Sequence, residues 1–211
     1  MDIPLAKKLR KRAHLEVALL QDEVVELVYA LCPEMEPALH GGTAIWRCYN
    51  GKRFSEDLDF YGKIPEGFKE KLGTELESRG LVLGKYKKSP HVLFVKIRNN
   101  STEVKLEISE GVPAKKILLQ YEKTDGTKMD IYSLSRKELI TEKMKAYLNR
   151  RFVRDIYDVY LLGKEEGKVP EVLEFLEKIE QPVDEKNLKA LVYSGVVPSF
   201  REMKNVLKGL Q

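Results

Sequence analysis

Cysteine is scarce in this chain of 211 residues: it has Cys32 and Cys48 and no others. Two thiols cannot build a disulfide scaffold or a zinc cluster, so a reducing, cytoplasmic setting is expected. Histidine is equally sparse, with three residues at no metal-type spacing. No apolar run is long enough to span a bilayer, and no signal-peptide pattern opens the sequence, so no membrane partner is expected. Internal repeats, low-complexity tracts and long linkers are absent too. The excess of positive charge is small, 37 Lys and Arg against 33 Asp and Glu, for a net +4. That balance is compatible with a nucleotide or nucleic-acid partner without arguing for one. With 43% hydrophobic residues, the chain can bury the core of one large or two small domains.

The informative stretch is His40 to Phe60, HGGTAIWRCYNGKRFSEDLDF. Read as a strand, Asp57-Leu58-Asp59 turns both carboxylates to one sheet face and Glu56, Leu58 and Phe60 to the other. Two carboxylates so close repel each other unless a cation sits between them. An oxygen-only pair suits Mg²⁺, which takes one or two carboxylates together with substrate phosphates. Ahead of the pair, Gly41-Gly42-Thr43 opens a short helix predicted over residues 44–49. A Gly-Gly turn at a helix start presents bare N–H groups and a positive dipole end, both favourable to phosphate. Each feature alone has an ordinary reading, a polar strand end or a capped turn. In this order one mechanism uses both: phosphoryl or nucleotidyl transfer.

The run Gly41-Gly42-Thr43 followed by Arg53-Phe54-Ser55-Glu56-Asp57-Leu58-Asp59 resembles the signature of the polymerase β-like nucleotidyltransferase superfamily. More narrowly it resembles the AbiEii-type toxins of toxin–antitoxin systems, in which an Arg and a Ser precede the acids. The resemblance implies an α/β (α+β) fold: a nucleotidyltransferase domain with a small mixed sheet, followed by a helical C-terminal domain. The expected division is an N-terminal helix over 1–34, the nucleotidyltransferase domain over 35–132 and the helical domain over 133–211. It also implies an NTP substrate, two Mg²⁺ ions, an antitoxin partner, and tRNA or another RNA as acceptor. On this reading Gly41, Gly42 and Thr43 cradle phosphates, with Arg53 and Ser55 beside them.

Along the chain, residues 5–31 read as one helix, with Leu15, Leu19, Val24, Leu27, Val28 and Leu31 at near-helical spacing and Cys32-Pro33 as its stop. Its basic lead-in, Lys7 to Arg12, reads first as a solvated face and second as a nucleic-acid contact. A helix is predicted over 66–79, then strands over 81–87 and 91–98. Glu103 to Ser109 is a period-2 strand, with Val104, Leu106 and Ile108 on one side and Lys105, Glu107 and Ser109 on the other. Taken alone it is a half-exposed strand. The superfamily resemblance implies a third carboxylate from a strand beside the acid pair, for which Glu107 is the first candidate and Glu103 and Glu110 are alternatives. The segment from Pro113 to Tyr121 permits a further strand at residues 117–119.

Ser135 with Glu138 forms a capping box at the head of a long helix predicted over 136–162. Lys143, Tyr147, Arg150, Arg154 and Asp158 would share one face of it, an apolar stripe from Met144 to Val159 flanking them. On spacing alone this is a surface helix with an Arg154–Asp158 pair. The segment also resembles the E-K-x-x-A…R-x-x-x-R-D-x-x-D motif of AbiEii-type proteins. By that resemblance Lys143 and Arg154 contact the nucleotide, and Asp155 and Asp158 orient the cations or the site. Further helices follow from Pro170, from Asp184 as an N-cap, and over 200–210. Three other readings stay open: a protein or small-molecule acceptor, a non-catalytic nucleotide- or RNA-binding module with a vestigial site, and a metal-dependent nuclease.

Overall fold

The computed structural model describes residues 3–111 and 115–210, so Pro113 lies outside the described residues. The chain forms two compact units, one of Met1–Cys48 and Ser55–Leu134 and one of Tyr49–Phe54 and Ser135–Gln211.

The first unit begins with a short helix α1 (Leu5–Lys8) and a long helix α2 (Arg12–Leu31). The single helix expected over 5–31 is thus broken. Leu9 takes an extended backbone, which lets Leu5 and Leu9 both bury, while Ala6 N–H donates to Thr124 O at 2.9 Å. The buried face of α2 is also rotated from the expected one: Leu20, Val24, Leu27 and Val28 are fully buried, whereas Leu19 is 49% exposed. The helix ends at Cys32, before Pro33, as the sequence predicts.

Then come β1 (Ala38–His40), α3 (Gly41–Cys48), β2 (Leu58–Tyr61), α4 (Phe68–Ser78), β3 (Val82–Lys88), β4 (Val92–Arg98), β5 (Glu103–Ser109), β6 (Lys116–Glu122) and β7 (Lys128–Leu134). Among the described residues the strands make one seven-stranded mixed sheet in the order β3-β4-β5-β2-β1-β7-β6. β1 is too short to show a period in the sequence, yet it lies near the centre, antiparallel to β2 and parallel to β7. Leu58 and Phe60 of β2, Leu93, Val95 and Ile97 of β4, and Val104, Leu106 and Ile108 of β5 are buried on one face. Helices α2 and α4 pack over that side of the sheet. The alternate residues therefore lie on the other face.

A buried polar knot ties α2, α3 and β6 together. Asp22 accepts from Arg47, from Tyr121 Oη at 3.0 Å, and from the backbone N–H and hydroxyl of Thr124. The Arg47 guanidinium also lies 4.6 Å from the Tyr121 ring centroid, a cation–π contact in a desolvated setting.

The second unit holds α5 (Arg136–Arg150), α6 (Val153–Glu166), α7 (Pro170–Lys178), α8 (Leu188–Leu191) and α9 (Phe200–Gly209). Within it the 49–54 segment runs beside the end of α8, with Phe54 N–H donating to Leu191 O at 2.9 Å and Tyr193 N–H to Lys52 O at 3.1 Å. The Ser135–Glu138 capping box forms as predicted.

The single helix expected over 136–162 is two helices. Arg151 adopts a left-handed conformation with φ 53° and closes α5 through its N–H to Tyr147 O. Phe152 is extended, and α6 starts anew at Val153, whose N–H donates to the Asp184 carboxylate at 2.6 Å. Asp184 therefore satisfies the start of α6 and makes no side-chain cap on its own segment. The expected single face from Lys143 to Asp158 does not exist, because the turn at residues 151–152 resets the helical phase.

Candidate active site

The acid pair sits on the first unit's sheet, with Asp59 in β2 and Asp57 one residue before it. β2 runs parallel to β5 with Asp59 opposite Glu107 and Leu58 opposite Leu106. Directly opposed residues share a face, so Asp59 and Glu107 stand side by side and Asp57 follows on the same side. The register separates Glu107 from its two alternatives. Glu103 pairs with Arg98 at the far end of β5 and its carboxylate holds Lys96 Nζ at 2.6 Å, while Glu110 lies beyond the strand. On the other flank of β2, His40 is opposite Asp59 and its ring stacks on Tyr61 at 3.9 Å between centroids. Asp57 Oδ1 is 3.6 Å from Lys105 Nζ, so an ammonium already occupies the cationic place beside it.

The Gly-Gly turn joins β1 directly to α3, which begins at Gly41, earlier than the predicted residue 44. Gly41 has φ +70°, and a Cβ there would stand 2.6 Å from Asp59 Oδ2. Backbone conformation and space both demand glycine at this point. The close approach brings the first turn of α3, whose N–H groups have no intrahelical acceptor, next to the Asp59 carboxylate.

Two buried side chains hold the backbone that leads into the acid pair. Thr43 is fully buried and its Oγ1 donates to Asp57 O at 2.5 Å. Gln21, on α2, donates to Ser55 O at 2.9 Å and to Glu56 O at 3.0 Å. Sequence reading passed over Gln21, although a glutamine on the core face of an apolar helix is a signal, because burial requires it to find partners. Gly42 is buried beside Thr43, and Ser55 is half-buried.

Among the described residues, no three His, Cys, Asp or Glu side chains converge as a ready metal cage. Asp57, Asp59 and Glu107 nevertheless fit a hard divalent cation. They are oxygen donors on one accessible face, few enough to leave coordination positions for water and phosphate oxygens, which is how Mg²⁺ is usually held.

A family model described as "Nucleotidyl transferase AbiEii toxin, Type IV TA system" matches residues 31–202. The chain belongs to that family. It is an AbiEii-type nucleotidyltransferase of the toxin–antitoxin class. Two solved structures share the fold. JHP933 from Helicobacter pylori is 19% identical, with a TM-score of 0.59 over 92% of this chain and 89% of its own. A second H. pylori protein, provisionally assigned as a nucleotidyltransferase, is 20% identical, with a TM-score of 0.60 over 92% of each chain. No curated protein matches. Among the described residues no helix is long and apolar enough to cross a membrane.

The second stretch of this AbiEii-type chain lies in the helical unit and is organised by buried charge. Asp158 is fully buried and accepts Arg53 Nε and Nη2, each at 2.6 Å, together with Lys143 Nζ at 3.1 Å. Arg53 Nη1 donates to Phe54 O at 3.1 Å, so its guanidinium is committed on every side. Asp155, also fully buried, takes Arg150 bidentately at 2.8 Å for both bonds and lies 3.8 Å from Lys143. Burial alone would raise the Asp158 pKa, but the Arg53 and Lys143 charges and their hydrogen bonds outweigh it and hold it below the ordinary carboxylate value. The Arg154–Asp158 pair expected along one helix is replaced by pairs that join α6 to α5 and to the 49–54 segment. Arg154 is half-buried, its guanidinium 5.6 Å from the Phe152 ring centroid.

Proposed function

We propose that the protein transfers a nucleoside monophosphate from an NTP to a hydroxyl of an RNA such as tRNA, in a Mg²⁺-dependent reaction in the cytoplasm, and that an antitoxin protein opposes it. The observation that carries this is the Asp59–Glu107 register, with Asp57 on the same face and the Gly41 turn against Asp59. The acceptor oxygen bonds to the α-phosphorus, the bond from that phosphorus to the bridging oxygen breaks, pyrophosphate leaves, and the hydroxyl proton passes to solvent. Asp57, Asp59 and Glu107 would hold Mg²⁺, two ions in the full complex, and when bound the metal supplies neutralisation of the charge spread over the phosphate oxygens.

The chain's own residues position the reactants. The first-turn N–H groups at Gly41, Gly42 and Thr43 offer donors to the terminal phosphates. Thr43 and Gln21 keep the Ser55–Asp57 backbone in place beneath them. Ser55 has a half-buried hydroxyl for the same phosphates. Lys143 and Arg154 are the proposed nucleotide contacts from the helical unit. Arg53 and Asp158 act through Lys143, fixing its ammonium by a buried pair and not by touching substrate themselves.

The test is incubation of the purified protein with each α-³²P-labelled NTP, Mg²⁺ and total tRNA, beside Asp57→Ala. Label on tRNA with the native protein and none with the variant is the expected result. Label on a protein hydroxyl, or equal labelling by both proteins, overturns the assignment.

A further inference from the structure

Resting on the nucleotidyl-transfer reading, we infer that the β3–β4 ribbon is the binding track for the phosphodiester backbone of a single-stranded nucleic-acid acceptor, leading its terminal hydroxyl to Asp57 and Asp59. Two rows of side chains cross the open sheet face towards the acids. In the first, Lys96 of β4 is opposite Lys105 of β5, and Lys105 reaches Asp57. An irregularity in β3 between Leu83 and Tyr86 extends this row, since Lys85 lies opposite the Lys96 region and its Nζ is 5.9 Å from the Phe94 ring centroid, on the same face. In the second row, Lys87 is opposite Phe94, Phe94 opposite Glu107, and Glu107 opposite Asp59.

Like charges set directly across strands repel, and neighbouring strands are only about 4.8 Å apart. Lys96 and Lys105 are each offset by one carboxylate, Glu103 and Asp57. Lys85 and Lys87 are exposed and, among the described residues, have no carboxylate partner. The row ends at the open edge strand β3, so a polyanion can continue past it, as a chain does and a free nucleotide does not. Lys85, Lys87, Ser89, Val92 and Phe94 line a groove of about 330 Å³ in which half-buried Phe94 offers a ring face. Cations tracking a backbone beside an aromatic platform are the means of gripping single strands. The sheet order also separates two anionic reactants. The Gly41 turn adjoins Asp59 from the β1 side, whereas the lysines approach from the β5 side. Triphosphate and acceptor backbone thus reach the acids from opposite flanks.

The test uses the full chain and a fluorescein-labelled single-stranded RNA oligonucleotide, with binding read by anisotropy across a salt series. Lys85→Gln/Lys87→Gln, which changes two exposed side chains, should bind about tenfold more weakly at low salt, with an unchanged melting temperature. The slope of log affinity against log salt should become shallower by about 1.4, two single-strand phosphate contacts. Unchanged affinity and slope overturn the track, as does displacement of the RNA by polyglutamate at equal charge concentration. Mg²⁺·NTP binding to the native protein, measured separately by calorimetry, tests the parent reading. Lysine-dependent RNA binding without NTP binding keeps the track and removes the nucleotidyl site. NTP binding without lysine-dependent RNA binding removes the track alone.

Discussion

Replacing Asp158 by Asn should cost the protein about 3–5 kcal/mol of stability, the range for stripping one partner from a buried ion pair. Asp158 has no exposed surface and receives Arg53 through two bonds of 2.6 Å and Lys143 through one of 3.1 Å. Asn keeps one neutral amide oxygen, so Arg53 loses its bidentate anionic partner and retains at most that oxygen and Phe54 O. Lys143 retains Asp155 at 3.8 Å, and that carboxylate already serves Arg150 bidentately. One buried positive charge is left uncompensated, since Arg53 is 4% exposed and Lys143 7%. Urea unfolding should therefore show a lower midpoint for Asp158→Asn, and the Arg53→Met/Asp158→Asn double variant should lose well under the sum of the two single losses. The acid limb carries a second signature. A carboxylate whose folded pKa is depressed contributes its stability fully above the unfolded value, about 3.9, and loses it as pH falls through the folded one. The native protein should lose this increment below about pH 4, and Asp158→Asn should lack that part of the slope. A loss below about 1 kcal/mol, or an acid limb identical to the native one, would refute the claim that this network holds the helical unit together.

Gly41→Ala should abolish transfer to labelled acceptor, because its Cβ would lie 2.6 Å from Asp59 Oδ2 at φ +70°; normal turnover would show that Asp59 is not confined as described. Glu107→Gln, at an exposed position, should change the melting free energy by no more than about 0.5 kcal/mol while lowering turnover by 100-fold or more, on the order expected when a carboxylate proposed to hold the metal that neutralises the transferring phosphate is lost. Thr43→Val removes the 2.5 Å bond to the carbonyl of half-buried Asp57 and should cost about 0.5–1.5 kcal/mol, the net range for one intramolecular hydrogen bond, read by chemical denaturation. Cys32 is 2% exposed and burial pushes its thiol up to about 11, so native protein should resist iodoacetamide at that residue at neutral pH while denatured protein reacts; rapid native labelling, seen by peptide mass spectrometry, would contradict the buried placement.

Sequence alone carried the features that depend on local chemistry. The period-2 pattern of residues 103–109, the Pro33 stop and the Ser135–Glu138 cap are each set by groups within a few residues of one another, and each forms as expected. The pairing of glycine turn and closely spaced acids was legible for the same reason, since Asp57 and Asp59 are two residues apart in the chain, with Asp59 in β2 and Asp57 one residue before that strand. Three things needed the tertiary structure. The choice of Glu107 over Glu103 and Glu110 as the neighbour of Asp59 is a register between strands more than forty residues apart, set by the parallel β2–β5 pairing. The three-residue β1, which brings Gly41 against Asp59, has no periodicity to read and exists because β2 and β7 offer it partners on both edges. The partners of Asp158 were also invisible. A left-handed Arg151 splits the expected helix, and Asp158 then meets Lys143 across a helical hairpin and Arg53 from a segment more than a hundred residues earlier. Local spacing encodes which side chains share a face. Which faces meet is decided by burial and charge compensation over the whole chain.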